Sequence, residues 1–220
     1  NAGRKELEAE LATLYMEAAS VHETADDSQG ALSLYDRAIE IYERLVNREG
    51  RRELANGLAT LYTNKALSVS ALGDNRGAVA LYDRAIEILE RLVNQEGRRE
   101  LADDLAKLYS NKANAIRYLG DNCGAVALHD RAIEIRERLV NQEGRRELAD
   151  DLAKLYMGKA NAVSALGDKH GAVALYDRAL QIRERLVNQE GRRELADDLA
   201  KLYMNKAVSV LALGDKHGAV

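Results

Sequence analysis

The stretch from Arg98 to Gly144, RRELADDLAKLYSNKANAIRYLGDNCGAVALHDRAIEIRERLVNQEG, recurs from Arg145 to Gly191 with only ten changes. The same frame opens at Arg51, at Arg192 and, more loosely, at Arg4. A sustained period of about 20–50 residues marks a stacked array, in which no single unit buries its apolar face alone. The chain therefore reads as one array over residues 1–220. A divergent first unit spans 4–50, further units span 51–97, 98–144 and 145–191, and a partial fifth covers 192–220.

Each unit carries two helical patterns. In the second, Leu54, Leu58, Leu61, Tyr62, Ala66, Val69 and Leu72 recur at spacings of three and four, the stripe of an amphipathic helix. Gly73 is placed as a left-handed terminator and Asp74 as the cap of the next helix. That helix carries Ala78, Leu81, Tyr82, Ala85, Ile88, Leu89 and Leu92 on one side and ends near Val93-Asn94. Strand-like alternation never lasts, and Ala, Leu, Glu, Arg and Lys dominate, which favours helix. The expected fold is all-α: a right-handed α-solenoid of stacked antiparallel helix pairs.

With no proline anywhere, glycine and Asp/Asn must punctuate the chain. Phe and Trp are absent, so the core is expected to be Ala, Leu, Ile, Val and Tyr, with small residues such as Ala66, Ala78 and Ala85 where helices approach closely. In the first unit Asp26 replaces the terminating glycine and His22 stands in the frame of Val69, as a terminal repeat exposed on one face would allow. At the far end Met204 to Leu213 keeps internal-repeat character, so its apolar face expects a partner.

The frame Gly73-Asp74, Ala78, Tyr82, Ala85 (G-D-x-x-G-A-x-x-x-Y-x-x-A) resembles the second half of a tetratricopeptide repeat. Tyr62 stands where that family places its large first aromatic, and Ala66 where it places its small packing residue. The match recurs at Gly120, Ala125 and Ala132 and at Gly167, Ala172, Tyr176 and Ala179, with His129 replacing the tyrosine in the third unit. Two departures stand out: the period is 47 rather than the family's usual 34 or so, and the closing proline is missing. The chain thus looks like a long-helix variant, similar to those of bacterial repeat arrays, with the extra length extending both helices. HEAT and armadillo repeats have comparable periods but lack this frame.

The resemblance implies a concave groove lined by the first helix of each pair. Carried onto this chain, the groove positions include Thr60, Lys107, Lys154 and Lys201; Thr63, Ser110, Met157 and Met204; and Leu67, Asn114, Asn161 and Val208. Lysines and asparagines on adjacent helices would grip a carboxylate or the backbone of an extended peptide. Lys107, Asn114, Lys154 and Asn161 are the foremost candidates, with Lys201 beside them; a merely solvated helix face is the competing reading. Arg117 and Tyr118 replace the Ser/Ala pairs of the neighbouring units and match the residue types of a binding hot spot. The Arg-Arg-Glu runs read as a self-neutralising charge stripe, with Arg99–Asp103 and Arg146–Asp150 as intrahelical pairs.

Other chemistries find little support. Cys123, His170 and His217 share one frame position, but stacked pairs about 8–10 Å apart do not bring such ligands to the roughly 2 Å that zinc requires, so no metal is expected. No Ser-His-Asp or Cys-His set recurs within a unit, and there is no phosphate loop or His-Glu-x-x-His. Neither catalysis nor a cofactor is expected. A net charge of −4 with interspersed signs argues against a nucleic-acid footprint. No apolar run approaches the roughly 18 residues of a membrane span, and no secretory leader opens the chain. The single cysteine fits a reducing compartment, so a cytoplasmic location is expected. The leading functional expectation is a scaffold holding a protein or peptide segment in the groove. The alternatives are a head-to-tail self-assembling array, or the sensor region of a larger signalling protein.

Overall fold

A computed structural model describes residues 2–25 and 27–214, with side chains from residue 6 onward. The expectations for Asp26, for His217 and for a helix beginning at 218–220 lie outside those residues. The described residues are helical throughout, with no strand: α1 (Ala2–Thr24), α2 (Ser28–Glu43), α3 (Ala55–Ala71), α4 (Asn75–Glu90), α5 (Ala102–Tyr118), α6 (Asn122–Glu137), α7 (Ala149–Ala165), α8 (Lys169–Glu184) and α9 (Ala196–Ala212).

The corners are written in the sequence. Gly73 takes φ +88, a conformation that a side chain would strain, and this lets the chain leave α3. Asp74 then accepts a hydrogen bond from the Gly77 amide at 2.9 Å, satisfying one of the free donors at the start of α4. Asp121 and Asp168 cap α6 and α8 in the same way.

The far end of each second helix differs from the expectation. Its last turn widens into a π-helix, as at Arg91–Gln95 and Arg138–Gln142. Around Gly97 the Arg98 amide then donates to the Leu92 carbonyl at 3.0 Å, and a 3-10 turn, Arg99–Leu101, opens α5. The length beyond an ordinary repeat thus includes a π turn that continues the second helix and a 3-10 turn that opens the first, so both helices are extended, but by turns that are not α-helical.

Packing divides the chain into two compact units, one ending at Ala115 and one beginning at Ile116. In the first, α1 pairs with α2, α2 lies on α3, and α3 pairs with α4. In the second, α6 lies on α7, α7 pairs with α8, and α8 lies on α9. Ala66, Ala78 and Ala85 are fully buried, so the helices close to the distance a methyl group allows. Leu58, Leu61, Tyr62, Tyr82 and Leu89 fill the remaining interior. Leu72 departs from its stripe and is exposed, because it caps α3 beside the glycine corner. Ile86, outside the expected set, is buried.

Polar ties repeat between successive hairpins. The hydroxyl of Tyr62 donates to Glu43, that of Tyr109 to Glu90 and that of Tyr156 to Glu137. Lys65 pairs with Asp36, Lys112 with Asp83, Lys159 with Asp130, and Lys206 with Asp177 at 2.7 Å. These bonds fix the register at which one hairpin meets the next. At the described C-terminal end α9 has no following helix over it: Tyr203, Met204, Val208 and Leu211 are exposed, whereas Tyr156 in the frame of Tyr203 is buried. On α1, Leu7, Leu11, Leu14 and Val21 are exposed in the same manner. His22 is half-exposed, and its Nδ1 lies 2.7 Å from Asp27, the cap of α2.

Candidate functional site

The candidate residues that the sequence singles out lie on first helices of the hairpins. Lys107 and Asn114 are exposed on α5, Lys154 is exposed on α7, and Lys201 is exposed on α9. None of the three lysines is a bare cation. Lys107 lies 2.7 Å from Asp103 and 3.2 Å from Asp104. Lys154 repeats this with Asp150 at 2.8 Å and Asp151 at 3.1 Å, and Lys201 reaches Asp198 at 3.2 Å. Partial burial acts to lower the Lys154 pKa, but the two carboxylates outweigh it and hold the ammonium above its ordinary value. The face is therefore one of mixed charge, with Lys⁺ and Asp⁻ alternating along it.

Asn161 is half-buried, and its side-chain oxygen accepts a 2.6 Å hydrogen bond from the hydroxyl of buried Tyr176. It accepts from a core tyrosine through its oxygen, so its amide N–H donors are not used in that bond. Arg117 and Tyr118 form the last turn of α5. Tyr118 is 70% exposed, and the Arg117 guanidinium stacks 4.9 Å from the centre of its ring.

Sequence reasoning missed a buried ionic network in the second unit. Arg136 and Arg183, both on second helices, are 3% and 2% exposed. They occupy the frame of Leu89, which is buried and apolar. Arg183 Nε donates to Asp150 at 2.9 Å, and its Nη1 donates to the backbone carbonyl of Asp198 at 3.0 Å. Arg136 Nη1 lies 3.0 Å from Asp151. Lys154 and Arg183, not Arg146, thus take Asp150, because the 3-10 turn at Arg146–Leu148 moves Arg146 out of α-helical register. The available signal was an arginine inside an otherwise apolar stripe. Asp151 is held below its usual range: burial would raise it, but Lys154 and Arg136 outweigh that.

His129, in the frame of Tyr82 and Tyr176, is 1% exposed, and neither ring nitrogen has a hydrogen-bond partner among the described residues. Burial, reinforced by Arg117, pushes its pKa down to about 4. Gly158 makes room for the ring, since a Cβ there would lie 2.6 Å from His129 Cε1. Cys123 is exposed, and no cluster of three or more His, Cys, Asp or Glu able to hold a metal occurs among the described residues. Nor is any described helix long and apolar enough to cross a membrane.

A tetratricopeptide repeat family profile matches residues 11–51, 58–98, 105–145 and 152–192, and the chain belongs to that family. The successive matches begin at the same interval as the sequence repeat. No curated protein matches the chain. Among solved structures, BtubC (BKLC) from P. vanneervenii superposes with a TM-score of 0.65 at 24% identity, covering 80% of this chain and 64% of that one. This chain therefore spans under two thirds of BtubC's length. The nearly identical TPR-like repeats of a putative kinesin light chain from P. anserina give 0.70 at 18% identity, covering 96% and 90%. YrrB, described as a TPR protein with an unusual peptide-binding site, gives 0.58 at 14% identity, covering 94% and 79%. At these identities the likeness is one of fold: all-α helical hairpins repeated as in TPR-like solenoids. Repeats of this family serve as protein-interaction scaffolds, and the chain is a scaffold of that general kind.

Proposed function

We propose that the chain holds an extended protein segment against the exposed faces of its first helices, with Tyr118 and Arg117 as the anchor. The observation that carries this reading is Tyr118 itself. A large aromatic residue stands 70% exposed, ordered by a stacked guanidinium, where the equivalent residues are Ala71 and Ala165. Tyrosine and arginine dominate the energetics of interaction surfaces because they bring large contact area and directed hydrogen bonds at low entropic cost. Asn161 and Lys154 supply polar contacts in the second unit, and Lys107, Asn114 and Lys201 offer the same chemistry on their own helices. The alternation of Lys⁺ and Asp⁻ favours a partner that is itself of mixed charge, or one read through its backbone amides.

The test is quantitative affinity capture with the parent protein, Tyr118→Ala and Lys154→Ala. Loss of a hot-spot aromatic costs about 2 kcal/mol, close to thirtyfold in affinity. Partners retained by the parent and depleted by Tyr118→Ala are the expected result. Identical recovery by all three proteins would remove the anchor and the reading with it.

A second reading, head-to-tail self-association, is favoured by the apolar faces of α9 (Tyr203, Met204, Val208, Leu211) and α1 (Leu7, Leu11, Leu14). A heterologous contact of this type need not close, and where its rotation does not close it propagates as a filament. Sedimentation across a concentration series should then show growth that Met204→Glu abolishes, and a sedimentation coefficient independent of concentration would refute it.

A further inference from the structure

We propose that a pocket on the fourth repeat binds a carboxylate side chain of an acidic protein segment. The pocket has a volume of about 240 Å³ and lies between the π turn after α6, helix α7 and helix α8. Its floor includes Leu152 and Ile182, and its rim carries Asn141, Arg178, Gln181 and Arg185. At about 100° per residue, Leu152 and Tyr156 lie on the opposite side of α7 from Lys154 and Asn161. The site is therefore distinct from the groove proposed above and does not depend on it.

Three features specify the occupant. The first is a preset cation. Glu137 accepts from the Tyr156 hydroxyl, Tyr156 in turn accepts from Arg178 Nη1 at 3.3 Å, and the guanidinium lies 5.6 Å from the ring centre. This relay fixes Arg178 while leaving most of its five N–H donors for a planar, two-oxygen acceptor. The second is size and lining. A cavity this small takes one side chain and not a nucleotide, and its aliphatic floor suits the methylenes beneath a carboxylate.

The third is a contrast inside the chain. The same frame in the second repeat builds the same pocket from Asn47, Leu58, Tyr62, Arg84, Ile88 and Arg91, with a volume of about 120 Å³. There Glu87 stands on the rim where Gln181 stands in the fourth repeat. Glu87 opposes an incoming anion, whereas Gln181 is neutral and can donate to it. Glu137 lines the fourth-repeat pocket and is held by Tyr156, and Glu43 is held by Tyr62 in the same way, so the two copies differ by the one charge of Glu87, and the wider copy, which has Gln181 in its place, is the one that fits an anionic side chain.

Fluorescence anisotropy with a fluorescein-labelled hexaglutamate peptide tests this, with hexaglutamine as the control. The parent protein should bind hexaglutamate at least about tenfold more tightly than hexaglutamine, the value of one charge-assisted hydrogen bond. Arg178→Gln should lose about tenfold, and so should Gln181→Glu, which installs the residue already present at Glu87; Arg193→Ala, an exposed cation in the 3-10 turn before α9 and outside both proposed sites, should stay within about twofold. All of these are exposed positions, and circular dichroism should report unchanged helix content. Equal binding of the two peptides, no binding of either, or affinity unaffected by both Arg178→Gln and Gln181→Glu would overturn the assignment. So would a loss on Arg193→Ala as large as that on Arg178→Gln. Because Tyr118 is untouched, failure here leaves the groove proposal standing, and the reverse also holds.

Discussion

Arg183→Leu should lower the stability of the chain by about 3 kcal/mol, and adding Asp150→Asn should restore most of it. The single change leaves Asp150, only 5% exposed, without its guanidinium partner. Stranding one member of a buried ion pair costs about 3–5 kcal/mol, because the remaining charge keeps its desolvation penalty. The lower end applies, since Lys154 still reaches Asp150 at 2.8 Å. Asp150→Asn alone should also destabilise, because the buried guanidinium keeps only a neutral amide oxygen there, the Asp198 carbonyl at 3.0 Å and the Asp198 carboxylate 3.8 Å away. The double variant differs, because the second repeat already contains this solution: Leu89 stands in the frame of Arg183 and Asn56 in that of Asp150. Urea denaturation of the four proteins gives the coupling energy directly, and it should exceed about 2 kcal/mol. Additive single effects would show that the buried pair is not a unit.

The second large effect is on pH dependence. His129 is neutral in the folded chain, with its pKa depressed to about 4 by burial and by Arg117, against an ordinary value near 6.5. The charged groups that act on it divide: Arg117 and Lys159 disfavour the imidazolium, and Asp130 favours it. Above about pH 6.5 neither state binds the proton, and the stability from keeping the ring neutral is fully present. As the pH falls from there toward 4, the unfolded chain takes up a proton that the folded chain refuses, so stability drops, by about 3 kcal/mol over the whole window. His129→Tyr places the residue of Tyr82 and Tyr176 in this frame and removes the titration. The stability difference between parent and variant should therefore widen between pH 7 and pH 4.5, by about 2–3 kcal/mol. Parallel curves would mean that the imidazole is not held neutral.

These two sites also mark how far the sequence could be read. The period, the glycine corners and the aspartate caps were legible because each is a local requirement: one residue, one dihedral angle or one amide. The exposure of Lys107, Asn114 and Lys154 followed from helical spacing alone. Spacing did not show that each lysine would be occupied by aspartates on its own helix, because the count of charges does not say which partner wins. Arg99 and Arg146 looked equally suited to Asp103 and Asp150 until the 3-10 turn took them out of register. Arg136 and Arg183 were visible as charges in an apolar stripe, but only packing shows that both are buried and that Arg183 is buried together with Asp150. The replacement of tyrosine by His129 was plain, whereas the absence of any partner for its nitrogens depends on what surrounds it. The acidic-segment pocket was beyond reach for the same reason, since it needs a π turn that periodicity counts as ordinary helix.

The fold depends on hairpins that complete one another's interior. Buried Tyr156 and exposed Tyr203 are one residue type in one frame, and among the described residues only the helix of Tyr156 has a second helix, α8, paired with it. Circular dichroism of residues 145–191 alone, compared with residues 98–214, tests that dependence most directly. The single repeat should be largely unfolded, with no cooperative thermal transition, while the longer segment should be helical and melt sharply. A lone repeat with native-like ellipticity and its own sigmoidal melt would contradict the account.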